Sequence, residues 1–89
     1  MSIALLIMQD TEDGRAIVRS IQKDNSDVKV TNKPAMIQIE REKEIVVKAS
    51  TVSEELGREW DVEELQIELV SLGGQINETD DEITVYWDN

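Results

Sequence analysis

The amino-acid sequence predicts an α+β fold in which about three helices pack on small sheets. Short apolar or alternating runs, each bounded by polar turn residues, recur along the chain, which is typical of strands. Between these runs lie segments with apolar residues at helical spacing behind an N-cap residue. The order of these elements predicts two βαββ-type units within a single compact domain, 1–89, as a pseudo-repeat of residues 2–40 and 44–88.

The first unit begins with Ile3 to Met8, an unbroken apolar run that predicts a buried strand. Residues 12–24 predict an amphipathic helix capped by Asp10 or Thr11. The apolar residues of this helix fall on one face: Gly14, Ile17, Val18 and Ile21. On its opposite side lies a basic row, either a solvated face or a docking site for a partner: Arg15, Arg19 and Lys23.

Two strands complete the first unit, at residues 28–31 and 35–40, and Asn32-Lys33-Pro34 separates them. Pro34 lacks an amide hydrogen, which predicts a strand junction or a sheet edge. In the second of these strands the inward residues are expected to be Ala35, Ile37 and Ile39. The outward residues are expected to be Met36, Gln38 and Glu40. Met36 is thus expected to be a half-exposed soft apolar side chain, common at adaptable interfaces.

The second unit begins with a strand at residues 44–48 and a short helix, for which Thr51 and Glu54 predict a capping box. The corner that follows carries four residues that we interpret as structural: Gly57, Trp60, Asp61 and Glu64. Gly57 can take the left-handed conformation that ends a helix, and Asp61 can cap the next one. Glu64 can reach back to the Asp61 amide, while Trp60 can meet Leu65 as a hydrophobic staple.

The helix after the corner is predicted to run to Leu72, because its apolar residues follow a 3-4-3 spacing: Val62, Leu65, Leu69 and Leu72. The alternation Leu65-x-Ile67-x-Leu69 would also suit a strand, but the cap in front and Gly73-Gly74 behind favour a helix. A hairpin is predicted last, with strands at 75–77 and 82–87. Ile83, Val85 and Trp87 are expected on one side of it.

Composition excludes several functions. The net charge of −11 lies in the second half, since residues 54–68 carry seven acids against one base and residues 78–89 five acids against none. This distribution argues against nucleic acid and anionic membranes as partners. Without cysteine or histidine, the chain lacks the commonest bases and transition-metal ligands, so any metal site would be all-oxygen. The opening apolar run is too short for a signal peptide or a membrane span, and a cytoplasmic location is expected.

No constellation of residues suits catalysis, because no base stands ready to activate a serine. The residues therefore predict a binding or regulatory domain that acts on another protein. Two alternatives remain open. One is an acidic ligand-binding regulatory domain of ferredoxin-like type. The other is an acyl carrier protein, although its Asp-Ser-Leu attachment site is absent.

Three runs carry a resemblance to a known family: Pro34–Glu40, Leu56–Asp61 and Leu69–Ile76. They resemble the coupling (effector) proteins of soluble bacterial diiron monooxygenases. The resemblance is closest to the phenol hydroxylase branch and extends to methane monooxygenase component B and the toluene monooxygenase effectors. It implies a cofactor-free α+β protein that docks on a diiron hydroxylase. There it would couple NADH oxidation by a separate reductase to aromatic hydroxylation.

The surface that would touch the hydroxylase is hypothesised from an outward Met beside a rigid Pro and from backbone exposed at paired glycines. The hypothesised contact residues are Lys33, Pro34, Met36, Ser71, Gly73, Gly74 and Asn77. Each of them taken singly also suits a turn or an edge position with no binding role. No catalytic, cofactor-binding or metal-binding residue is predicted.

Overall fold

The computed structural model describes residues 2–87. This range contains three helices and seven strands, and the strands form two antiparallel sheets. The predicted α+β class with three helices on small sheets is confirmed. The strands are β1 Ile3–Gln9, β2 Lys29–Lys33, β3 Met36–Glu42, β4 Glu44–Lys48, β5 Leu69–Gly73, β6 Gln75–Glu78 and β7 Glu82–Tyr86. The helices are α1 Glu12–Asp24, α2 Ala49–Leu56 and α3 Leu65–Glu68, the last entered through a 3-10 turn at Val62–Glu64.

The strands divide between a four-stranded sheet of order β2-β3-β1-β5 and a three-stranded sheet of order β4-β7-β6. β1 is central in the first sheet, where Leu6 stands opposite Ile39 of β3 and Leu72 of β5. β5 thus comes from the second half of the chain but pairs with the first strand. The pseudo-repeat of residues 2–40 and 44–88 stays a prediction.

One apolar core joins both sheets and the helices. Ala4, Leu6 and Met8 of β1 are fully buried in it, as are Ile17 and Ile21 of α1. Further members come from the second half: Ile45, Val47, Val52, Trp60, Val62, Leu65, Ile83 and Val85. Burying one such branched side chain stabilises the fold by about 1.5–3 kcal/mol, so this shared core holds the two sheets together.

The predicted roles of Gly57, Asp61 and Glu64 at the corner are confirmed, whereas the staple between Trp60 and Leu65 stays a prediction. Gly57 ends α2 with φ 74°, in the left-handed region. The Asp61 amide donates to Glu64 Oε2 at 2.9 Å, which closes the capping interaction before α3. Trp60 is 3% exposed and Leu65 is 1% exposed, both within the core. The corner therefore fixes where the chain enters α3.

The predicted cap of α2 is wrong. The helix begins at Ala49, two residues before Thr51, and its N-cap residue Lys48 makes no side-chain cap. The Ala49 amide instead donates to the Asp81 carbonyl at 2.9 Å. An early amide of the helix thus finds its acceptor in the turn between β6 and β7, a tertiary contact that no local sequence signal announces.

The predicted helix from the corner to Leu72 is also wrong beyond Glu68. The chain becomes extended at Leu69, and β5 pairs with β1. A free edge of β1 offers backbone partners and apolar contacts to Leu69 and Leu72, and this tertiary gain outweighs the local preference for helix. Gly73-Gly74 is accordingly no helix stop, because Gly73 ends β5 and Gly74, with φ 135°, turns the chain into β6.

Two side chains also differ from expectation. β2 continues through Asn32 to Lys33, so Pro34 and Ala35 form the hairpin turn, and Ala35 is exposed with φ 64° instead of pointing inward. Trp87 follows β7 and is 44% exposed, whereas Ile83 and Val85 are buried as expected. Its indole N–H donates to the Ile3 carbonyl at 2.7 Å, so the ring lies beside β1.

A candidate partner-binding face

The four-stranded sheet is covered on one side only. Along β1 burial alternates: Ala4, Leu6 and Met8 face the core, whereas Leu5 and Ile7 between them remain partly exposed. We call the outward side of this sheet the open face. By register it consists of Lys29, Thr31, Lys33, Met36, Gln38, Glu40, Glu42, Ile3, Leu5, Ile7, Gln9, Ser71 and Gly73.

The register brings four of the seven hypothesised contact residues to this face. Lys33 stands opposite Met36, and Met36 stands opposite Gln9 at the end of the sheet beside the Pro34-Ala35 turn. On the other side of β1, Ser71 stands opposite Ile7, and Gly73 opposite Leu5. Directly opposed residues of antiparallel strands point to the same side, so both groups share one surface.

The remaining three hypothesised residues lie elsewhere. Pro34 is in the hairpin turn beside the open face, where the Asp10 amide holds the turn by donating to the Ala35 carbonyl at 3.1 Å. Gly74 is at the corner between the two sheets, and Asn77 is in the three-stranded sheet opposite Thr84. Asn77 therefore does not share the open face.

The open face differs in charge from the rest of the molecule. Its two lysines, Lys29 and Lys33, balance two glutamates, Glu40 and Glu42, so its formal charge is zero in a chain of net charge −11. Leu5 and Ile7 of β1 are its apolar residues in the middle of the sheet, and Glu40 of β3 lies opposite Leu5. A surface whose few charges cancel around apolar side chains suits a protein–protein interface.

On the open face, Gly73 and the Leu5 side chain are packed closely together. An added Cβ on Gly73 would lie 3.3 Å from Leu5 Cβ, so the Leu5 side chain leans against this glycine. Leu5 and Ile7 were missed as candidate surface residues because their apolar run predicted a strand buried on both sides. The same run nevertheless indicated an apolar surface. A strand in a half-covered sheet normally alternates apolar and polar residues, and this strand does not.

Two exposed apolar side chains, one in α3 and one in β5, adjoin the open face. Ile67 is 66% exposed at the end of α3, and Val70 is 49% exposed where β5 bulges between Met8 and Ile7 of β1. Gln9 connects this edge to the open face, because its Nε2 donates to the Ile67 carbonyl at 3.2 Å. Neither residue was a candidate from sequence, where both were assigned to the predicted long helix.

The basic row of α1 pairs within the molecule. Arg19 Nε lies 2.8 Å from Glu55 Oε1 of α2, and Lys23 contacts the same carboxylate. Arg15 pairs with Asp10 at 2.8 Å. The hydrogen bond from Lys23, followed by that from Arg19, lowers the pKa of Glu55. Arg19 and Lys23 therefore join α1 to α2, and the docking interpretation gains no support.

Residues 2–87 offer little support for a metal site or a small-molecule site. No group of three or more acidic side chains there is placed to hold a metal ion. Two depressions, of about 280 and 300 Å³, lie around Arg41 and Glu42 and are lined mostly by charged residues. Small-molecule sites are mostly apolar, so the ligand-binding alternative is not supported. Of the helices in that range, none has the length and apolar character needed to cross a membrane.

The fold and the open face define a class: a small α+β domain whose four-stranded sheet leaves one face, of zero formal charge, uncovered. The chain belongs to the MmoB/DmpM family, whose model matches residues 2–86. It is 39% identical to the phenol 2-monooxygenase stimulatory component DmpM of Pseudomonas sp. (strain CF600), over 99% of this chain and 98% of that protein. The resemblance seen in the sequence is thereby confirmed.

Solved structures of related proteins have the same fold. A chain in the structure of a phenol hydroxylase–regulatory protein complex is 36% identical to this one. It superimposes with a TM-score of 0.92 over 98% of this chain and 100% of that chain. The soluble methane monooxygenase regulatory protein B shares the fold at 18% identity and a TM-score of 0.77, over 97% of this chain and 65% of that one.

Proposed function

We propose that this chain is the cofactor-free regulatory component of a multicomponent phenol (aromatic) hydroxylase. The observation that carries the proposal is the 39% identity with a phenol 2-monooxygenase stimulatory component along nearly the whole of both chains. In this proposal the chain supplies no catalytic residue. The diiron hydroxylase performs the oxidation, a separate reductase delivers electrons from NADH, and all three act in the cytoplasm.

The chain acts by differential affinity. A regulatory protein shifts its partner only as far as it binds one conformation of that partner better than another. A tenfold shift in the population of the active hydroxylase state needs about 1.4 kcal/mol of such preference. The chain needs only a surface that fits the coupled state of the hydroxylase better than the uncoupled state.

The open face is the proposed contact surface, with the Pro34-Ala35 turn at its end. Its apolar side chains Leu5, Ile7 and Met36 can lose water on docking, and Glu40 beside them lies opposite Lys29. The negative charge of the chain lies mostly in its second half, which leaves this face neutral for close packing. Of the hypothesised residues, Lys33, Met36, Ser71 and Gly73 contribute directly, and Pro34 shapes the turn.

Reconstitution tests the function. A phenol hydroxylase and its reductase are assayed with phenol and NADH, and the chain is added in increasing amounts. We expect the phenol hydroxylated per NADH consumed to rise and then saturate, because docking couples the two reactions. A ratio that does not change at any amount of added chain would overturn the proposal.

The substitution Met36→Glu tests the surface. A carboxylate at position 36 of the open face must be desolvated on docking, so we expect stimulation of turnover to be abolished. Met36 is only half-buried, so the thermal midpoint should stay close to that of the wild type. Gln22→Glu, on the exposed side of α1, adds the same charge away from the face and should stimulate normally. Unchanged stimulation by Met36→Glu would exclude this surface.

A further inference from the structure

The two sheets have four edge strands, and two of these edges are protected more fully than the other two. An edge strand presents unpaired amides and carbonyls to which another strand can pair. Proteins usually protect such edges with charges, prolines, bulges or a covering segment. The edge strands here are β2 and β5 in the larger sheet, and β4 and β6 in the smaller one.

The β4 edge is covered by a side chain. The Asn25 amide nitrogen donates to the Val46 carbonyl at 2.8 Å, and its oxygen accepts from the Val46 amide at 3.0 Å. Asn25 thus occupies both outward backbone groups of Val46, in the middle of β4. The β2 edge carries two lysines, Lys29 and Lys33, and ends at Pro34, so it is guarded by charge and by a missing amide.

The last edge runs from β5 into β6 around Gly74. A bulge at Val70 interrupts the start of β5, but Ser71–Asn77 beyond it contains no charged residue and no proline. All four residues of β6 are exposed. In residues 2–87, β6 pairs with β7 and with no other strand. This edge is short, yet within residues 2–87 no further strand pairs with its outer side.

The direction of the β6 amides follows from the adjoining turn. The Thr79 amide donates to the Glu82 carbonyl at 2.9 Å, which makes these two residues a hydrogen-bonded pair. Hydrogen-bonded and non-hydrogen-bonded pairs alternate along an antiparallel ladder. The amides of Gln75 and Asn77 therefore point to β7, whereas those of Ile76 and Glu78 point away from the sheet.

We propose that this edge, Ser71–Glu78, accepts an extended segment of the hydroxylase as an added strand. The inference rests on the proposed function and deepens it. It adds a contact through the main chain to the side-chain contact proposed at the open face. Strand addition draws its affinity from backbone hydrogen bonds, which suits an edge with few side-chain features. Ser71 and Gly73 belong to both surfaces, so one partner can engage the two together.

Charge defines the added segment. The turn beyond β6 carries Asp80 and Asp81, Glu82 begins β7, and Glu78 ends β6. A segment with an uncharged centre and a Lys or Arg near one end is therefore complementary. A second copy of the chain is a poor occupant, because two chains of net charge −11 would bring these acidic turns together.

Amide hydrogen exchange read at single residues tests the inference. With saturating phenol hydroxylase, exchange at Ile76 and Glu78 should slow at least tenfold, because their outward amides gain acceptors. Gln75 and Asn77, already bonded to β7, should change much less. If the hydroxylase is stimulated but Ile76 and Glu78 exchange as in the free chain, the inference falls and the proposed function stands. If nothing is stimulated, the proposed function fails and the inference fails with it.

Substitutions at Ile76 give an independent measure. Ile76→Pro removes an outward amide without breaking the ladder to β7, and it should weaken hydroxylase binding at least tenfold relative to Ile76→Thr, which keeps the amide. Ile76→Lys should also weaken binding, whereas Gln22→Lys on α1 should not. The Lys variant keeps the backbone intact, so it decides the matter if the Pro variant unfolds. Binding of Ile76→Pro or Ile76→Lys as tight as that of Ile76→Thr would overturn the inference.

Discussion

Single residues fix the sharpest bends of this chain, and two glycines show how differently they do so. Both Gly57 and Gly74 have positive φ, at 74° and 135°. An added Cβ at Gly57 would meet nothing within 4 Å, whereas at Gly74 it would lie 2.9 Å from the Tyr86 carbonyl oxygen. Glycine is therefore favoured at position 57 by the backbone conformation alone. At position 74 it is favoured both by the backbone conformation and by close packing against β7.

We expect Gly74→Ala to lower the free energy of unfolding by about 2–4 kcal/mol, since it combines a strained φ with a backbone clash. Gly57→Ala, the matched variant, should cost about 1 kcal/mol, from the left-handed conformation alone. Urea unfolding followed by circular dichroism measures both. Equal costs would mean that β7 yields to the added methyl group, and would contradict the close packing at Gly74.

Among the elements, the short helix α3 depends most on its cap. Four residues cannot hold a helix by themselves, and the preceding turn is secured by Glu64, which accepts from the Asp61 amide. Glu64 Oε1 also lies 3.2 Å from Arg58, whose guanidinium reaches Asp13 of α1 as well. The hydrogen bond from the Asp61 amide, aided by Arg58, lowers the pKa of Glu64.

This lowered pKa predicts a pH dependence. The unfolded state binds the proton more tightly, so the stabilisation by Glu64 is present above the ordinary pKa of 4.5 and is lost as the pH falls through the lowered value. Glu64→Gln keeps an acceptor for the cap but cannot titrate, and its stability should fall less steeply than that of the wild type below pH 4.5. Glu64→Ala should be less stable already at pH 7. Urea unfolding between pH 3 and 7 measures this, and parallel curves for wild type and Glu64→Gln would contradict it.

For the whole molecule, the shared core makes the two halves interdependent. β5 of the second half completes the sheet of the first, and Trp60 lies in the same apolar cluster as Leu6 and Ile17. Neither half can bury its apolar residues alone. The molecule should therefore unfold in one cooperative step, as small single domains usually do.

This cooperativity can be measured in a Trp87→Phe background, where Trp60 is the remaining tryptophan. Thermal unfolding followed by Trp60 fluorescence and by far-ultraviolet circular dichroism should show coincident midpoints, because both report loss of the shared core. Two separated transitions would indicate that residues 2–40 and 44–87 unfold as independent units.

The parts that sequence predicted correctly rest on local chemistry. The apolar face of α1, the cap at Asp61 and Glu64, and the turn at Gly57 depend on residues a few positions apart, so periodicity and capping rules find them. The family was recognisable for a related reason, since the run Leu56–Asp61 carries this corner in its own residues. Met36 was likewise placed outward by simple alternation, as observed.

The rest was decided by contacts between distant segments. Leu69–Gly73 is a strand because β1 offers it an edge, and α2 starts at Ala49 because Asp81 supplies an acceptor. The open face exists only once β3, β1 and β5 lie side by side, which brings Met36, Ile7 and Ser71 together. Sequence by itself determined the helix faces, the corner and the family. Tertiary structure alone decided which strands pair and so which side of the sheet stays uncovered, because backbone pairing depends on a partner that local sequence does not contain.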